Sequence, residues 1–255
     1  MKRLSFALLL LVAGFSFVYA AGARGNGKII TIEKNLSPFE RIHVGGSGEL
    51  NYHQSQEYRV AVQIDSNLEE HLDISTRDSR LYIGPKQGRA LFSPTKLIVD
   101  VYCPSPSGVA ISGSVKFTTM DKISAGDFRL NISGSGKVDG DFECENFSTR
   151  ISGSCDINSN IVCTSFSAEI SGSGKIAVTG SAKNLNVSIS GSGEFNANEF
   201  QTNNASVNVS GSGLIQLWVM EYLQARMSGS GGIRYRGDPQ IDLRSSGSAR
   251  LEKYW

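Results

Sequence analysis

The chain has 255 residues with 25 basic and 24 acidic side chains, a formal net charge of +1. That near-balance excludes the strong basic excess expected of a nucleic-acid binder. The length suits one elongated domain with a continuous core.

Lys2 and Arg3 precede an apolar run over residues 4–18, and Val18-Tyr19-Ala20 puts small side chains at the positions a signal peptidase reads. This predicts a signal peptide over 1–20, cleaved after Ala20. The run is short for a membrane span, which needs about 20 apolar residues, and no cysteine follows it to accept a lipid. Cleavage leaves 23 basic against 24 acidic residues. The mature chain is expected outside the cytoplasm, in the periplasm, on the outer surface or secreted, with residues 21–27 as a flexible lead-in and one β-helical domain over 28–255.

Residues 28–110 read as the irregular part of that domain. Apolar alternation predicts strands near 29–32, 39–44, 58–64, 72–74, 81–83 and 97–102, with a loop over 85–94 and a joint at Cys103-Pro104-Ser105-Pro106. These residues are expected to cap one end of the regular region. Within them Val44-Gly45-Gly46-Ser47-Gly48-Glu49-Leu50 anticipates a phrase that dominates the rest of the chain.

From residue 111 the phrase returns every 18 to 21 residues: Ile111-Ser112-Gly113-Ser114, then at Ile132, Ile151, Ile170, Ile189, Val209 and Met227, and in degraded form as Ser245-Ser246-Gly247-Ser248. Fixed-period repetition of this length signals a stacked repeat architecture. Before each phrase every second residue is apolar or small, as in Phe128, Leu130, Ile132 or Leu185, Val187, Ile189, and the residues between are polar. Period two means strands with one face inside. A second short strand starts six places after each anchor, at Val138, Ile157, Ile176, Phe195, Ile215, Ile233 and Leu251. A third apolar pulse, such as Phe142 with Cys144 or Trp218 with Met220, completes most periods. The predicted fold is an all-β, single-stranded, right-handed parallel β-helix, a solenoid with coils of about 19 residues over 111–250 and a less regular β portion before it. Right-handedness follows the usual hand of parallel crossovers. Glycine at one phase of every coil suits a corner reproduced at each level, and stacked serine hydroxyls are expected to bond along the ladder. Gly136-Lys137 and Gly174-Lys175 lack the flanking glycine and hydroxyl of a phosphate loop.

Thr95-Lys96-Leu97-Ile98-Val99-Asp100-Val101-Tyr102-Cys103-Pro104, followed by Val109-Ala110-Ile111-Ser112-Gly113-Ser114, resembles the joint of the putative auto-transporter adhesin, head GIN domain family. Phe39-Glu40-Arg41-Ile42-His43-Val44-Gly45-Gly46-Ser47-Gly48, and Asp65-Ser66-Asn67-Leu68 leading to Leu81-Tyr82-Ile83, resemble its opening. The resemblance spans nearly the whole mature chain. It implies an exported β-helical protein of the bacterial cell envelope, of Bacteroidetes type, with adhesion as the function in the family name. It carries over no catalytic or binding residues.

Candidate chemistry is sparse. Cys144 and Cys163 occupy almost one phase of adjacent coils, within reach of a disulfide; the plainer account is a reduced pair packed on the core. Cys155 replaces a turn glycine and Cys103 lies at the joint. His43, His53 and His71 are scattered without metal-ligand spacing, and the serines are ladder members with no neighbouring histidine, so no metal, cofactor or catalytic residue is expected. A polysaccharide lyase or hydrolase, suggested by fold analogy alone, needs paired carboxylates at equal phases; the column Lys137, Asp156, Lys175, Glu194 only alternates in sign. The expected function is therefore a non-catalytic envelope protein that binds glycans or another surface polymer, or an envelope protein partner; a structural spacer is the remaining alternative. Association of copies through the solenoid ends is open. The candidate ligand-binding residues are Trp218, Tyr222, Arg226, Arg234, Tyr235 and Arg236, where aromatic faces and guanidinium groups concentrate. Against them stands the reading that Trp218 and Tyr235 point into the core.

Overall fold

The computed structural model describes residues 23–86 and 92–254. The signal-peptide segment, the centre of the 85–94 loop and Trp255 lie outside them. The chain is a β-solenoid of about seven turns with parallel stacking. Its only helix among the described residues is one 3-10 segment, Ser66–His71, and no described helix is long and apolar enough to cross a membrane.

The stack begins with the strand Arg41–Gln54, whose residues pair in parallel with Gly108–Thr119 so that Val44 lies on Ile111, Gly46 on Gly113 and Leu50 on Phe117. Gly108–Thr119 pairs onward with Ile123–Gly172, Ile111 on Ile132. The succession continues through Lys175–Gly191, Glu194–Gly211 and Leu214–Gly229. The early echo of the phrase is thus a full rung of the solenoid. Register keeps like on like: the residue two before the corner glycine forms a buried column of Val44, Ile111, Ile132, Ile151, Ile170, Ile189, Val209 and Met227, none more than 4 % exposed, which ends at Ser245 on the last rung. Each such side chain contributes roughly 1.5–3 kcal/mol by leaving water. Phe128, Phe142, Phe147 and Phe166 pack in series with ring centroids 5.0 to 5.7 Å apart.

Strand pairing runs through the Ser-Gly-Ser phrase instead of stopping at it. Nine glycines at the corner, from Gly46 to Gly247, all have positive φ between 84° and 134°. A Cβ on any of the eight from Gly113 onward would come within 2.7 Å of the carbonyl oxygen of the glycine one level back. The serine after the corner donates its N–H toward the same column of carbonyls, as Ser192 does to Gly172 at 3.0 Å and Ser248 to Gly229 at 2.9 Å. The expected hydroxyl ladder is absent: the serines before the corner face water, and no bond between their hydroxyls occurs among the described residues. The backbone, not the serine side chains, ties the levels together.

Residues 55–107 leave the stack and return to close its N-terminal end. Arg80–Pro85 pairs in parallel with the first part of Arg41–Gln54, and Leu97–Cys103 with its second part. Pairing then turns antiparallel, with Arg59–Asp65 on Leu97–Cys103, Ile29–Asn35 on Arg59–Asp65, and Leu72–Arg77 on Arg80–Pro85. Arg80–Pro85 and Leu97–Cys103 thus make one more parallel rung, with residues 86–96 inserted between its two halves, and the antiparallel strands close it. Residues 23–27 are tied down too: Ala23–Arg24 pairs with Phe92–Ser93, and Gly27 donates its N–H to Asp65 at 2.6 Å. Asp65 is buried and also accepts from the Thr95 N–H at 2.8 Å and the Thr95 hydroxyl at 2.6 Å. Burial pushes its carboxyl up, but these bonds outweigh it and hold the group below the usual carboxylate range. At the other end Gln240–Gly247 and Arg250–Lys253 form the last rung, with Ile241 and Leu243 38 % and 44 % exposed.

Gly172→Ala, with a φ of 127° and a carbonyl in the way, should cost roughly 3–5 kcal/mol in chemical denaturation. Gly126→Ala, which meets nothing within 4 Å, should stay within about 0.5 kcal/mol. Because the native Asp65 carboxyl titrates below its unfolded value, its stabilisation is complete above about pH 4 and disappears as pH falls through the lower native value. Melting curves of wild type and Asp65→Asn should accordingly differ at pH 7 and approach each other as pH falls through that lower native value.

Candidate functional site

The solenoid separates the six residues singled out from the sequence. Leu214–Gly229 carries Trp218, Tyr222 and Arg226, and Gly232–Arg236 carries Arg234, Tyr235 and Arg236. Tyr235 packs partly buried against the core. Trp218 does not: Leu217 and Val219 take the inward positions, so Trp218 and Met220 face outward. Alternation is unbroken from Ile215 through Leu217 to Val219; the irregularity lies in the preceding strand, where pairing jumps from Asn196 with Gln216 to Gln201 with Trp218. The exposed face of Trp218 is covered by Arg236, whose guanidinium carbon lies 3.7 Å from the ring centroid, and whose Nε is buried without a hydrogen-bond partner. Arg234 lies 3.7 Å from Glu252 on the last rung. Tyr222 is half-buried between Asn204 and Gln240 in the register.

Arg226 is different. It stands three residues before a corner glycine, on the exposed side of its strand, and the register places Arg244 directly on it. Neither guanidinium forms an ion pair among the described residues; Arg226 bonds only to the Gln224 amide oxygen, at 3.2 Å. Two like charges at the inter-strand spacing of about 4.8 Å oppose each other. Beside them run Ser190, Ser210, Ser228 and Ser246, and together these side chains line a shallow groove of about 410 Å³. Its chemistry is that of an anion acceptor: forked cations for carboxylate, sulfate or phosphate oxygens, next to hydroxyls that donate or accept. Arg244 was missed in the sequence because its copy of the phrase is degraded, although counting back three from Gly247 would have found it.

The cysteines and histidines also have definite places. Cys144 and Cys163 are neighbouring free thiols, packed partly buried against the core. The contact from Cys163 makes Cys144 the more acidic of the two, against the effect of burial. Burial alone pushes the Cys103 thiol up to about 12. His53 Nε2 lies 3.0 Å from Asp100 and its ring stacks on Tyr102 at 4.6 Å, with Arg59 over the other ring at 3.9 Å. His43 corrects the sequence reading that the ladder serines lack a histidine neighbour: its Nε2 is 3.4 Å from the Ser112 hydroxyl, across 69 residues of chain. Burial, with the nearby Arg80 charge, lowers the His43 pKa and keeps the ring neutral at pH 7. No carboxylate bonds His43 among the described residues, so the Ser-His contact lacks the third member of a catalytic triad.

Residues 38–161 and 142–239 match the family model described as Putative auto-transporter adhesin, head GIN domain. The chain belongs to this family. Solved structures agree along its length. A putative adhesin from Parabacteroides merdae is 25 % identical, with a TM-score of 0.88 over 92 % of this chain and 99 % of its own. One from Parabacteroides distasonis is 26 % identical, at 0.86 over 91 % and 100 %. A protein of the same organism called a putative lipid binding protein is 28 % identical, at 0.87 over 91 % and 99 %. No match is found among curated proteins.

Proposed function

We propose that this head GIN domain is a non-catalytic adhesion module of the bacterial envelope that holds an acidic surface polymer along its side. The observation that supports this reading is the stacked Arg226 and Arg244, two cations without an acidic partner facing a serine-lined groove. A rigid parallel stack would not keep adjacent like charges at no cost, and an anionic ligand offsets that repulsion. The repeat spacing favours a polymer. Successive rungs present the same polar phase at a fixed interval, so a chain laid across them meets serine, asparagine and arginine in turn. Export, from the leader at residues 1–20, brings such a module to its ligand.

A glycan array probed with residues 21–255 tests the reading. Uronate-containing or sulfated glycans should bind, without cleavage products, and binding should weaken as salt rises from 50 to 500 mM. Arg226→Ala combined with Arg244→Ala should lower affinity for acidic glycans at least tenfold, about 1.4 kcal/mol. Arg234→Ala combined with Arg236→Ala, whose charges are engaged by Glu252 and Trp218, should change it less than threefold. Cleavage of a bound glycan would sink the non-catalytic assignment. Binding to anionic vesicles alone, suppressed by the same arginine pair, would replace a glycan with a lipid headgroup.

A further inference from the structure

The opposite end of the molecule holds a second concave site, built where the cap meets the first coil. Four strands lie side by side there: Leu72–Arg77, Arg80–Pro85, Arg41–Gln54 and Gly108–Thr119. Ile42, Val44, Leu81 and Ile83 point into the core, so alternation sends His43, Gly45, Tyr82 and Gly84 to the outer face. The register then sets two rows across that face. One row is Asp73, Gly84, Gly45 and Ser112; the next is Ser75, Tyr82, His43 and Ala110. At the phase of Gly45 every later copy of the phrase, from Ser112 to Ser246, carries the serine of the ladder, whereas Gly45 and Gly84 have no side chain. Missing side chains at Gly45 and Gly84 open a cavity of about 420 Å³, within the usual size of small-molecule sites.

The lining indicates what would fill it. Two glycines give a flat backbone floor. The Tyr82 and His43 rings, centroids 5.6 Å apart, form one wall, and Pro85 adds apolar surface. Asp73 and Arg77 face each other at 2.8 Å across the rim, so that cation is engaged by a carboxylate. Asp78 sits in the two-residue turn between the first two strands, where both Asp78 and Ser79 have positive φ, 49° and 56°. Tight primed turns of this kind fix the strands they join. The polar inventory is thus two carboxylates, the Arg77 guanidinium paired with one of them, a neutral imidazole, the Ser112 hydroxyl and a phenol that accepts from Arg80 at 3.2 Å, with charges that balance. Such a site has no net charge to recruit an ion. It matches a ligand with an apolar ring face and several hydroxyls to donate to carboxylates and accept from imidazole and hydroxyl.

We propose that this cavity binds a neutral saccharide, the end or a single residue of a glycan, independently of the arginine groove seven rungs away. The decisive variant is Gly45→Ser. It extends the serine column by one level, its Cβ would meet the Ser112 hydroxyl at 3.2 Å and both Pro85 and the Ser112 carbonyl oxygen at 3.9 Å, and it fills the floor. Saturation-transfer NMR with methyl glycosides of glucose, galactose and mannose and with lactose and cellobiose supplies the probe. At least one should bind wild type and the Arg226→Ala, Arg244→Ala double variant alike, and lose at least tenfold in affinity in Gly45→Ser with the melting temperature unchanged. Asp73→Asn keeps the shape and removes the strongest hydroxyl acceptor, so it should weaken binding even if Gly45→Ser proves unstable. Absence of transfer from every probe at millimolar concentration, or transfer undiminished in both cavity variants, would overturn the assignment, whatever the acidic glycans do.

Discussion

Everything in this molecule depends on how closely one rung can sit on the next at the glycine corner. Each corner residue adopts a conformation open mainly to glycine, and the space where a side chain would begin is occupied by the carbonyl oxygen one level back. Those carbonyls in turn accept from the N–H of the serine following the next corner. The turn and the inter-rung bond are therefore one device, and repetition of Gly in the sequence is repetition of that device. With the corner fixed, register beside it is set, and columns of Ile, Val and Phe fall on one another.

That coupling explains why so much of the fold was legible. The anchors Ile111 to Met227, the second-strand residues from Val138 to Ile233 and the outward pairs Asp156 with Lys175 and Lys175 with Glu194 all follow from phase alone, because equal phase means adjacency. The cap was not legible in the same way. Strands near 29–32, 58–64 and 72–74 were visible as alternation, but alternation does not say whether a neighbour runs parallel or antiparallel; that depends on tertiary pairing with Leu97–Cys103 and Arg80–Pro85. Trp218 was misplaced for a related reason. The coil before it bulges over residues 197–200, and the following coil lacks those residues, so counting by period lands on the wrong face. His43 with Ser112 was hidden because periodic reasoning compares coils one period apart, whereas the residues between these two rungs belong to the cap.

The two ends of the solenoid solve the same edge problem differently. At the N-terminal end, antiparallel strands satisfy the outermost backbone groups, and Asp65 fastens the chain's first described residues to the start of Leu97–Cys103. At the C-terminal end, Gln240–Gly247 keeps one backbone edge unpaired, and its inward positions, Ile241 and Leu243, are only partly covered. What that rung has instead is charge: Asp242, Arg244, Arg250, Glu252 and Lys253 alternate along it. Charged side chains on an open edge discourage pairing with another sheet, though they leave Arg244 stacked on Arg226.

In a stacked repeat, the regular positions serve the stack, and departures from a column are where function can enter. A serine column interrupted by Gly45 creates a cavity; a mixed column of Asn131, Arg150, Glu169, Ser188 and Asn208 that ends in two arginines creates a cationic strip. Arg150 and Glu169 show the ordinary outcome at that same phase, a 2.7 Å ion pair between successive rungs. Arg226 and Arg244 occupy equivalent places with no acid between them. The fold that makes a salt bridge from Arg over Glu brings two cations together from Arg over Arg, without any change in the backbone.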